Sequence, residues 1–142
     1  MIPDDTARAS AQAMWADDRA SQALGMEIAH IAPGAATLTM IVTATMTNGH
    51  GICHGGYIFT LADSAFAFAC NSHGPRVVAQ GAQISFLAPG QLGDRLTATA
   101  REVHRAGRSG LYDVTVTRDD GTTIAEFRGQ SRTIRGHHLQ TE

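Results

Sequence analysis

Residues 48–63 read NGHGICHGGYIFTLAD, a glycine-rich turn that runs into an apolar helix carrying one acidic residue, Asp63. Apolar side chains lie on nearly every side of this helix, which predicts that it is buried. Eight steps separate Gly55 from Asp63, so at about 1.5 Å of rise per residue the carboxylate lies roughly 12 Å from the helix start. A buried carboxylate is costly without partners or a task, so Asp63 needs an explanation.

The segment before this turn predicts a helix and a β-hairpin. Residues 6–24 have broadly helical spacing, and Gly25 follows as a natural stop. Residues 26–31 and 36–45, the second rich in Thr, Val and Ile, flank the turn signal Pro33-Gly34, so we expect two antiparallel strands there. The chain therefore begins with a surface helix followed by a hairpin.

The chain after the apolar helix is predicted to form strands only. Turn clusters separate four segments with strand character, and their short connections predict an antiparallel meander over residues 76–87, 95–104, 110–117 and 122–134. The helix bearing Asp63 is apolar enough to cover the large apolar face of such a sheet. We therefore predict an α+β fold in one domain, residues 1–142: a curved antiparallel β-sheet wrapped around a central α-helix, an additional N-terminal helix and a flexible tail at residues 136–142.

Charge and composition exclude several classes of partner. The formal net charge is −2, which gives no electrostatic case for nucleic acid or for an anionic membrane surface. No apolar run reaches the roughly 18 residues of a membrane span, and the N-terminus lacks the pattern of a secretory signal. Cys53 and Cys70 have no zinc-binding spacing and are expected to be reduced thiols. We therefore expect a soluble, cytoplasmic protein.

The glycine-rich turn has the features of an oxyanion site. The first N–H groups of a helix have no partner within it, and Gly55 and Gly56 let a carbonyl oxygen approach them closely. A base or nucleophile must then lie within about 3 Å of the same reacting atom. Asp63 of the same chain is several times too far away, so if both features serve one reaction, a two-fold related subunit must supply the acid. Dimerisation would then be part of the mechanism.

The pattern alone also allows other interpretations of these residues. Asp63 could be half of a structural ion pair with Arg128 or Arg132 on the last strand. His50 and His54 lie four residues apart and could bind a metal if they were helical, although the glycines around them favour a loop and no third ligand is evident. The cysteine next to His54 could be a thiol nucleophile, although side chains adjacent in sequence seldom face each other.

Four motifs carry a family likeness: NGHG at residues 48–51, HGG at 54–56, LAD at 61–63 and FLAPG at 86–90. Together they resemble the hotdog-fold acyl-CoA thioesterases, in particular the PaaI-type enzymes of phenylacetate degradation. The similarity extends from the first helix to Arg132 and includes GDRLTATA and FRGQS. The resemblance implies a hotdog fold and hydrolysis of aryl- or arylacetyl-CoA thioesters to free acid and CoA, with ring-hydroxylated phenylacetyl-CoA as the favoured substrate.

The resemblance also implies a role for each of five residues. Gly55 would donate its backbone N–H to the thioester carbonyl, while His54 and Asn48 would help to hold that carbonyl and the water. Asp63 would act, from the partner chain, as general base or nucleophile. Ser64 stands where close relatives have threonine, and its hydroxyl would position the carboxylate or the water. We further expect donors such as Ser64 to keep Asp63 charged near neutral pH.

The same resemblance bears on partners and cofactors. Family members of this type are commonly tetramers built as dimers of dimers, and they use neither a metal nor another cofactor. We therefore expect an acyl-CoA substrate and a homo-oligomer, with no nucleic acid and no membrane partner. Four arginines are available for the CoA phosphates, without a specific assignment: Arg76, Arg105, Arg108 and Arg128.

Two alternative functions share this architecture. A hotdog hydratase or dehydratase would use a histidine with an acid, in motifs that the sequence does not contain. A non-catalytic acyl-CoA-binding module or sensor would keep the pocket without needing Asp63. The presence of both the helix acid and the HGG turn favours the enzyme over the sensor.

Overall fold

The computed structural model of the protein describes residues 1–139. In chain order the elements are α1 (Pro3–Asp17), α2 (Arg19–Ala23), β1 (Glu27–Ala32), β2 (Ala35–Ile41), a 3₁₀ turn (Ala44–Met46), α3 (Gly55–Cys70), β3 (Pro75–Phe86), β4 (Arg95–Ala106), β5 (Ser109–Arg118) and β6 (Thr123–His137). Within the described residues, none of the helices has the length and apolarity needed to span a membrane. The apolar helix that follows the glycine-rich turn is α3.

Helix α3 lies against the sheet and fills the core, with buried side chains on most of its surface. Strand β4 has the predicted alternation, since Leu96, Ala98 and Ala100 are buried and the residues between them are more exposed. The ring of Phe66 on α3 lies 5.7 Å, between centroids, from the rings of both Tyr112 and Phe127 on the sheet. The predicted α+β architecture, an antiparallel sheet around a central helix with an additional N-terminal helix, is confirmed.

The strand order in the sheet is β1-β2-β4-β5-β6-β3, and every neighbouring pair is antiparallel. The predicted meander is therefore right for β4, β5 and β6 but wrong for β3, which pairs with β6 instead of β4. Helix α3 carries the chain from β2 to the far edge of the sheet, so β3 starts there. The loop over residues 87–94 then returns across the sheet, and β4 pairs with β2. Strand β3 is consequently an edge strand.

The predicted helix over residues 6–24 is divided at Asp18 into α1 and α2. Asp18 has the non-helical backbone angles φ −84° and ψ 80°, and its side chain accepts a hydrogen bond from the N–H of Ser21. This is the geometry of a helix N-cap, so a new helix begins there. Strand β2 likewise ends at Ile41, short of its predicted boundary, because residues 44–46 form a 3₁₀ turn.

Strand β6 continues through Gly136 and His137, where the sequence predicted a flexible tail. His138 is also held, since its Nε2 lies 2.6 Å from the side-chain oxygen of Asn71. The ladder between β3 and β6 reaches this end of the chain, with Pro75 opposite His137. Residues 140–142, the remainder of the predicted tail, lie outside the described residues.

Gly129 of β6 lets the sheet approach α3 closely. A Cβ at this position would lie 2.8 Å from two ring atoms of Phe66, and Phe66 is only 1% exposed, so its ring has no free space to occupy. We expect Gly129→Ala to lower the free energy of unfolding by about 1–3 kcal/mol, as overpacking of a core does. Urea unfolding followed by circular dichroism measures this change.

Gly81→Ala is the matched control for that substitution. Gly81 lies in the neighbouring strand β3, and a Cβ there would meet only the flexible end of the Gln130 side chain, at 3.3 Å. We expect Gly81→Ala to change the free energy of unfolding by less than about 0.5 kcal/mol. Equal stability of Gly129→Ala and the wild type would contradict the close packing of β6 on α3.

Candidate active site

The glycine-rich turn is fixed by hydrogen bonds to two other loops. Within the turn, Asn48 Oδ1 accepts a hydrogen bond from the N–H of His50 at 2.9 Å. The N–H of Cys53 then donates to the carbonyl of Gly90 at 2.8 Å, and the N–H of His54 donates to the carbonyl of Met46 at 2.7 Å. The start of α3 is therefore held in place from both sides.

His54 is the N-cap of α3. Its Nδ1 accepts a hydrogen bond from the N–H of Gly56 at 3.0 Å, and a neutral imidazole that accepts at Nδ1 carries its proton on Nε2. The ring lies edge-on to Tyr57, with 6.5 Å between the ring centroids. His54 is exposed, so the Nε2–H of its ring is free to donate to a ligand outside the helix.

Gly55 is the first residue of α3. Within residues 1–139, no group accepts a hydrogen bond from its N–H, which lies at the positive end of the helix dipole. The ring of Phe86 is close by, because a Cβ added to Gly55 would lie 2.9 Å from its Cζ. Asn48 belongs to the turn just before this point, and its side-chain oxygen is occupied by the turn while its amide N–H groups remain available. Among the described residues, the N–H of Gly55 at the helix start is therefore available to a carbonyl or anionic oxygen.

Asp63 lies two turns further along α3 and is partly buried. Within residues 1–139, its carboxylate has no ion pair with either Arg128 or Arg132. Arg128 instead donates two hydrogen bonds to Asp113, at 2.6 and 2.8 Å, and this pairing on the outside of the sheet engages its guanidinium. The interpretation of Asp63 as a structural ion pair with these arginines is therefore wrong.

The surroundings of Asp63 favour its protonated form. Burial raises the pKa of this carboxyl above its ordinary value, and the negative charge of Asp18 raises it further. Asp63 lines a groove between α3 and strand β3, together with Cys70, Arg76 and His138. Among the described residues, no hydrogen-bond donor contacts the carboxylate, so it is available to a ligand in the groove.

Ser64 does not stabilise the charge on Asp63 as predicted. Its Oγ lies 2.8 Å from Oγ of Ser21 on α2, and Ser21 Oγ in turn donates to Oδ2 of Asp18 at 2.8 Å. Asp18 and Ser21 are not among the site residues that the sequence predicts. Their only local signal was an acidic N-cap residue followed three positions later by a serine, inside a segment whose spacing predicted one continuous helix.

The structure also bears on the metal and thiol interpretations. Within residues 1–139, no group of three His, Cys, Asp or Glu side chains is arranged to hold a metal ion. Cys53 is buried, and burial raises the pKa of its thiol. Because the thiolate is the nucleophilic form, this environment makes Cys53 a poor nucleophile.

The structure thus divides the five candidate residues into two groups. His54 and Gly55 form the start of the helix and Asn48 lies in the turn before it, while Asp63 and Ser64 lie two turns along the helix. Because α3 is one uninterrupted helix over Gly55–Cys70, the separation of roughly 12 Å expected from helical rise applies. The two groups of one chain therefore do not reach the same reacting atom.

Comparison with known proteins supplies the family. The thioesterase superfamily profile matches residues 50–125. The Escherichia coli K12 protein named acyl-coenzyme A thioesterase PaaI is 48% identical over 127 residues, which cover 89% of this chain and 91% of that protein.

Two solved structures extend the comparison. The structure of the E. coli PaaI protein from the phenylacetic acid degradation operon has a TM-score of 0.94 and 46% identity, over 96% of this chain and 99% of that one. A Streptococcus mutans protein bound to acetyl-CoA has a TM-score of 0.75 and 30% identity, over 77% of this chain and 88% of that one. The hotdog fold expected from the sequence motifs is confirmed. The chain belongs to the thioesterase superfamily, among the hotdog-fold acyl-CoA thioesterases of the PaaI type.

Proposed function

We propose that this protein hydrolyses aryl- or arylacetyl-CoA thioesters to the free acid and CoA, with ring-hydroxylated phenylacetyl-CoA as the favoured substrate. The observation that carries the proposal is the N–H of Gly55 at the start of an apolar helix, two turns before the carboxylate of Asp63, since neither group has a hydrogen-bond partner within residues 1–139. The similar E. coli protein comes from the phenylacetic acid degradation operon, which supports an arylacetyl group over a straight acyl chain.

Two subunits form each catalytic centre in this proposal. Within residues 1–139, strand β3 is paired on one side only, with β6. This free edge is twelve residues long and exposes apolar side chains, with Val78 44% and Phe86 53% exposed. An edge of this kind is a template for pairing with another chain, which supports a dimer formed through β3.

The layout of β3 supports an active site shared across that dimer. Its first half, which contains Val78, lines the groove of Asp63, and its last residue, Phe86, lies beside Gly55. A two-fold axis between antiparallel β3 strands would set the first half of one strand against the second half of the other. The partner subunit's Asp63 would then lie near Gly55, as the sequence spacing requires.

The two groups of residues, one from each subunit, can then carry out hydrolysis together. The N–H of Gly55 would polarise the thioester carbonyl and stabilise the oxyanion, assisted by His54 Nε2–H and the Asn48 amide. The partner subunit's Asp63 would take a proton from water as the water oxygen attacks the carbonyl carbon. Collapse of the tetrahedral intermediate would break the C–S bond and release CoA as a thiolate, which is a good leaving group and needs little acid assistance.

We further propose that the protein acts as a single domain of residues 1–142 and assembles as a homotetramer, a dimer of dimers. It would work in the cytoplasm, without a metal or other cofactor and without a nucleic-acid or membrane partner. The acyl-CoA thioesterase relatives and the small net charge of −2 support this picture.

Steady-state kinetics on three classes of substrate test the proposal. We expect kcat/KM for hydroxyphenylacetyl-CoA to exceed that for a straight-chain acyl-CoA by about tenfold or more, since in this proposal the acyl pocket hydrogen-bonds the ring hydroxyl and would discriminate against analogues without it. Benzoyl-CoA should lie between them. A chromogenic thiol reagent measures the CoA released. A preference for straight chains would contradict the substrate assignment, and no CoA release from any thioester would favour the acyl-CoA-binding module.

A further inference from the structure

We infer that Asp18 and Ser21 are positioning residues for this reaction: through a chain of hydrogen bonds they hold Oγ of Ser64, the neighbour of Asp63 in the sequence, as a hydrogen-bond acceptor. The inference rests on the function proposed above, in which Asp63, the residue before Ser64, serves the thioester bound at the other subunit. It assigns a role to Asp18, the N-cap of α2, and to Ser21 within α2. Neither residue belongs to the proposed catalytic groups.

The chain joins two helices that are far apart in sequence. Ser21 on α2 is 1% exposed, and its Oγ lies 2.8 Å from Asp18 Oδ2 and 2.8 Å from Ser64 Oγ. The backbone N–H of Ser21 also donates to Asp18 Oδ1 at 3.0 Å, so both carboxylate oxygens of Asp18 are engaged by the same residue. The carboxylate of Asp18 and Ser21 therefore form a rigid unit, and Ser64 is hydrogen-bonded to it through Ser21.

The protons in this chain can be arranged in one way only. A carboxylate accepts hydrogen bonds and donates none, so the single hydroxyl proton of Ser21 belongs to its bond with Asp18. Ser64 must then donate its own single proton to Ser21 Oγ. What remains on Ser64 Oγ is acceptor capacity, which explains why Ser64 is not a donor to Asp63. Ser64 can therefore receive a further hydrogen bond but cannot give one.

This polarity suits a water molecule held between two acceptors. A water that donates one O–H to Asp63 and the other to Ser64 has both protons directed away from the substrate, so its lone pairs are free for the carbonyl carbon. During attack the first proton moves to Asp63, the new C–O bond forms, and the C–S bond then breaks to release the thiolate. The second proton stays on the oxygen and remains hydrogen-bonded to Ser64.

Single and double substitutions test the chain. We expect Ser21→Ala and Ser64→Ala each to lower kcat roughly fivefold to tenfold, the rate equivalent of about one hydrogen bond, with little change in KM. In the double variant Ser21→Ala/Ser64→Ala, kcat should equal that of Ser64→Ala, because Ser21 acts through Ser64. Ser64→Thr keeps the hydroxyl and should recover most of the wild-type kcat.

Ser10→Ala is the matched control for loss of a buried serine hydroxyl. Ser10 lies in α1, and its Oγ is buried without a hydrogen-bond partner within residues 1–139, so its removal should leave kcat unchanged. Thermal unfolding of all five variants shows whether any loss of kcat reflects loss of folded protein. Independent effects of the two alanines, multiplying in the double variant, would overturn the inference.

Removing the charge of Asp18 gives a second, separate readout. The groups that face Asp63 are Asp18 on α2 and Cys70, Arg76 and His138 around the groove. The negative charge of Asp18 raises the pKa of Asp63, so its loss should lower that pKa. The acidic limb of the kcat–pH profile should then move to lower pH in Asp18→Asn. Asp17→Asn, an exposed neighbour with the same charge change, should leave the limb in place.

The outcomes separate this inference from the proposed function. A wild-type protein that releases no CoA from any thioester overturns the proposed function, and the positioning role with it. A wild-type protein that turns over normally while Ser21→Ala keeps full kcat overturns the positioning role alone. An unmoved acidic limb in Asp18→Asn would likewise count against Asp18.

Discussion

Replacement of Asp63 by asparagine is expected to lower kcat by about a hundredfold to ten-thousandfold, the contribution that a general base typically makes. The two side chains have nearly the same shape, so the packing of α3 should not change. The amide of asparagine cannot take a proton from water, and it cannot attack a carbonyl as a carboxylate can. KM should change little, because in the proposed mechanism Asp63 acts on the attacking water rather than on substrate binding.

The same substitution should leave the protein at least as stable as the wild type at pH 7. Burial, with the charge of Asp18, raises the pKa of Asp63 in the folded protein above the ordinary value of 3.8. Folding therefore becomes less favourable as the pH rises from 3.8 through that raised pKa, because the folded state resists ionisation more than the unfolded chain does. Asparagine has no charge to bury, so that cost disappears.

Measurements of kcat and of thermal unfolding on the same Asp63→Asn preparation test both expectations. Asp119→Asn, which removes one charge from the exposed turn between β5 and β6, is the control and should keep wild-type turnover. Full activity of Asp63→Asn would refute the catalytic assignment. A protein that loses activity only because it unfolds would show a lowered transition temperature, which is the opposite of the stability expected here.

Replacement of Gly55 by proline is expected to lower kcat by about a hundredfold to a thousandfold, the usual cost of removing one oxyanion donor. Proline has no backbone N–H, yet it suits the first position of a helix. The residue before it is already extended, since His54 has φ −63° and ψ 136°, which is the conformation that a following proline requires. The substitution therefore deletes one donor while α3 can still form.

Gly55→Ala separates the donor from the added bulk. Both substitutions place a Cβ against the exposed ring of Phe86, but alanine keeps the N–H. We therefore expect Gly55→Ala to retain a much larger share of kcat than Gly55→Pro. Equal losses in the two variants would mean that space beside Phe86, rather than the N–H, is what Gly55 provides.

Mixing the two inactive variants tests whether two subunits share each site. In a heterodimer of Asp63→Asn and Gly55→Pro chains, one site combines the intact Gly55 of the first chain with the intact Asp63 of the second. Random reassociation should then restore about a quarter of the wild-type activity, since half of the dimers are mixed and each has one intact site. No recovery after subunit exchange, demonstrated by a tagged chain, would contradict a shared site.

The local sequence was sufficient for the elements but not for the order of the sheet. A long run of apolar residues predicts a buried helix, and alternation of apolar and polar side chains predicts a strand, so both follow from the local sequence. The pairing of the strands depends on where the chain leaves α3. It leaves at the far edge of the sheet, so β3 lies there beside β6. Alternation within β3 contains no information about its partner, so the predicted meander placed it wrongly.

The candidate site was likewise predictable where it depends on one element, and not where it depends on packing between elements. The spacing of Gly55 and Asp63 follows from one helix and needed no tertiary information. The contact between Ser21 and Ser64 joins residues 43 positions apart, and it depends on a helix break at Asp18 that the regular spacing on either side concealed. A side-chain hydrogen bond of this kind follows from how α2 packs on α3, which the sequence pattern does not specify.

The anchoring of the helix start has a consequence for engineering this enzyme. The residue two positions before Gly55, Cys53, is tied through its N–H to the carbonyl of Gly90, and the same loop follows Phe86, whose ring borders Gly55. A redesign of residues 86–90 to admit a larger acyl group would therefore also move the N–H of Gly55, the proposed oxyanion donor. Substitutions in this loop should therefore affect both acyl selectivity and turnover. Screens of libraries that vary the loop should select second substitutions in the glycine-rich turn that restore turnover.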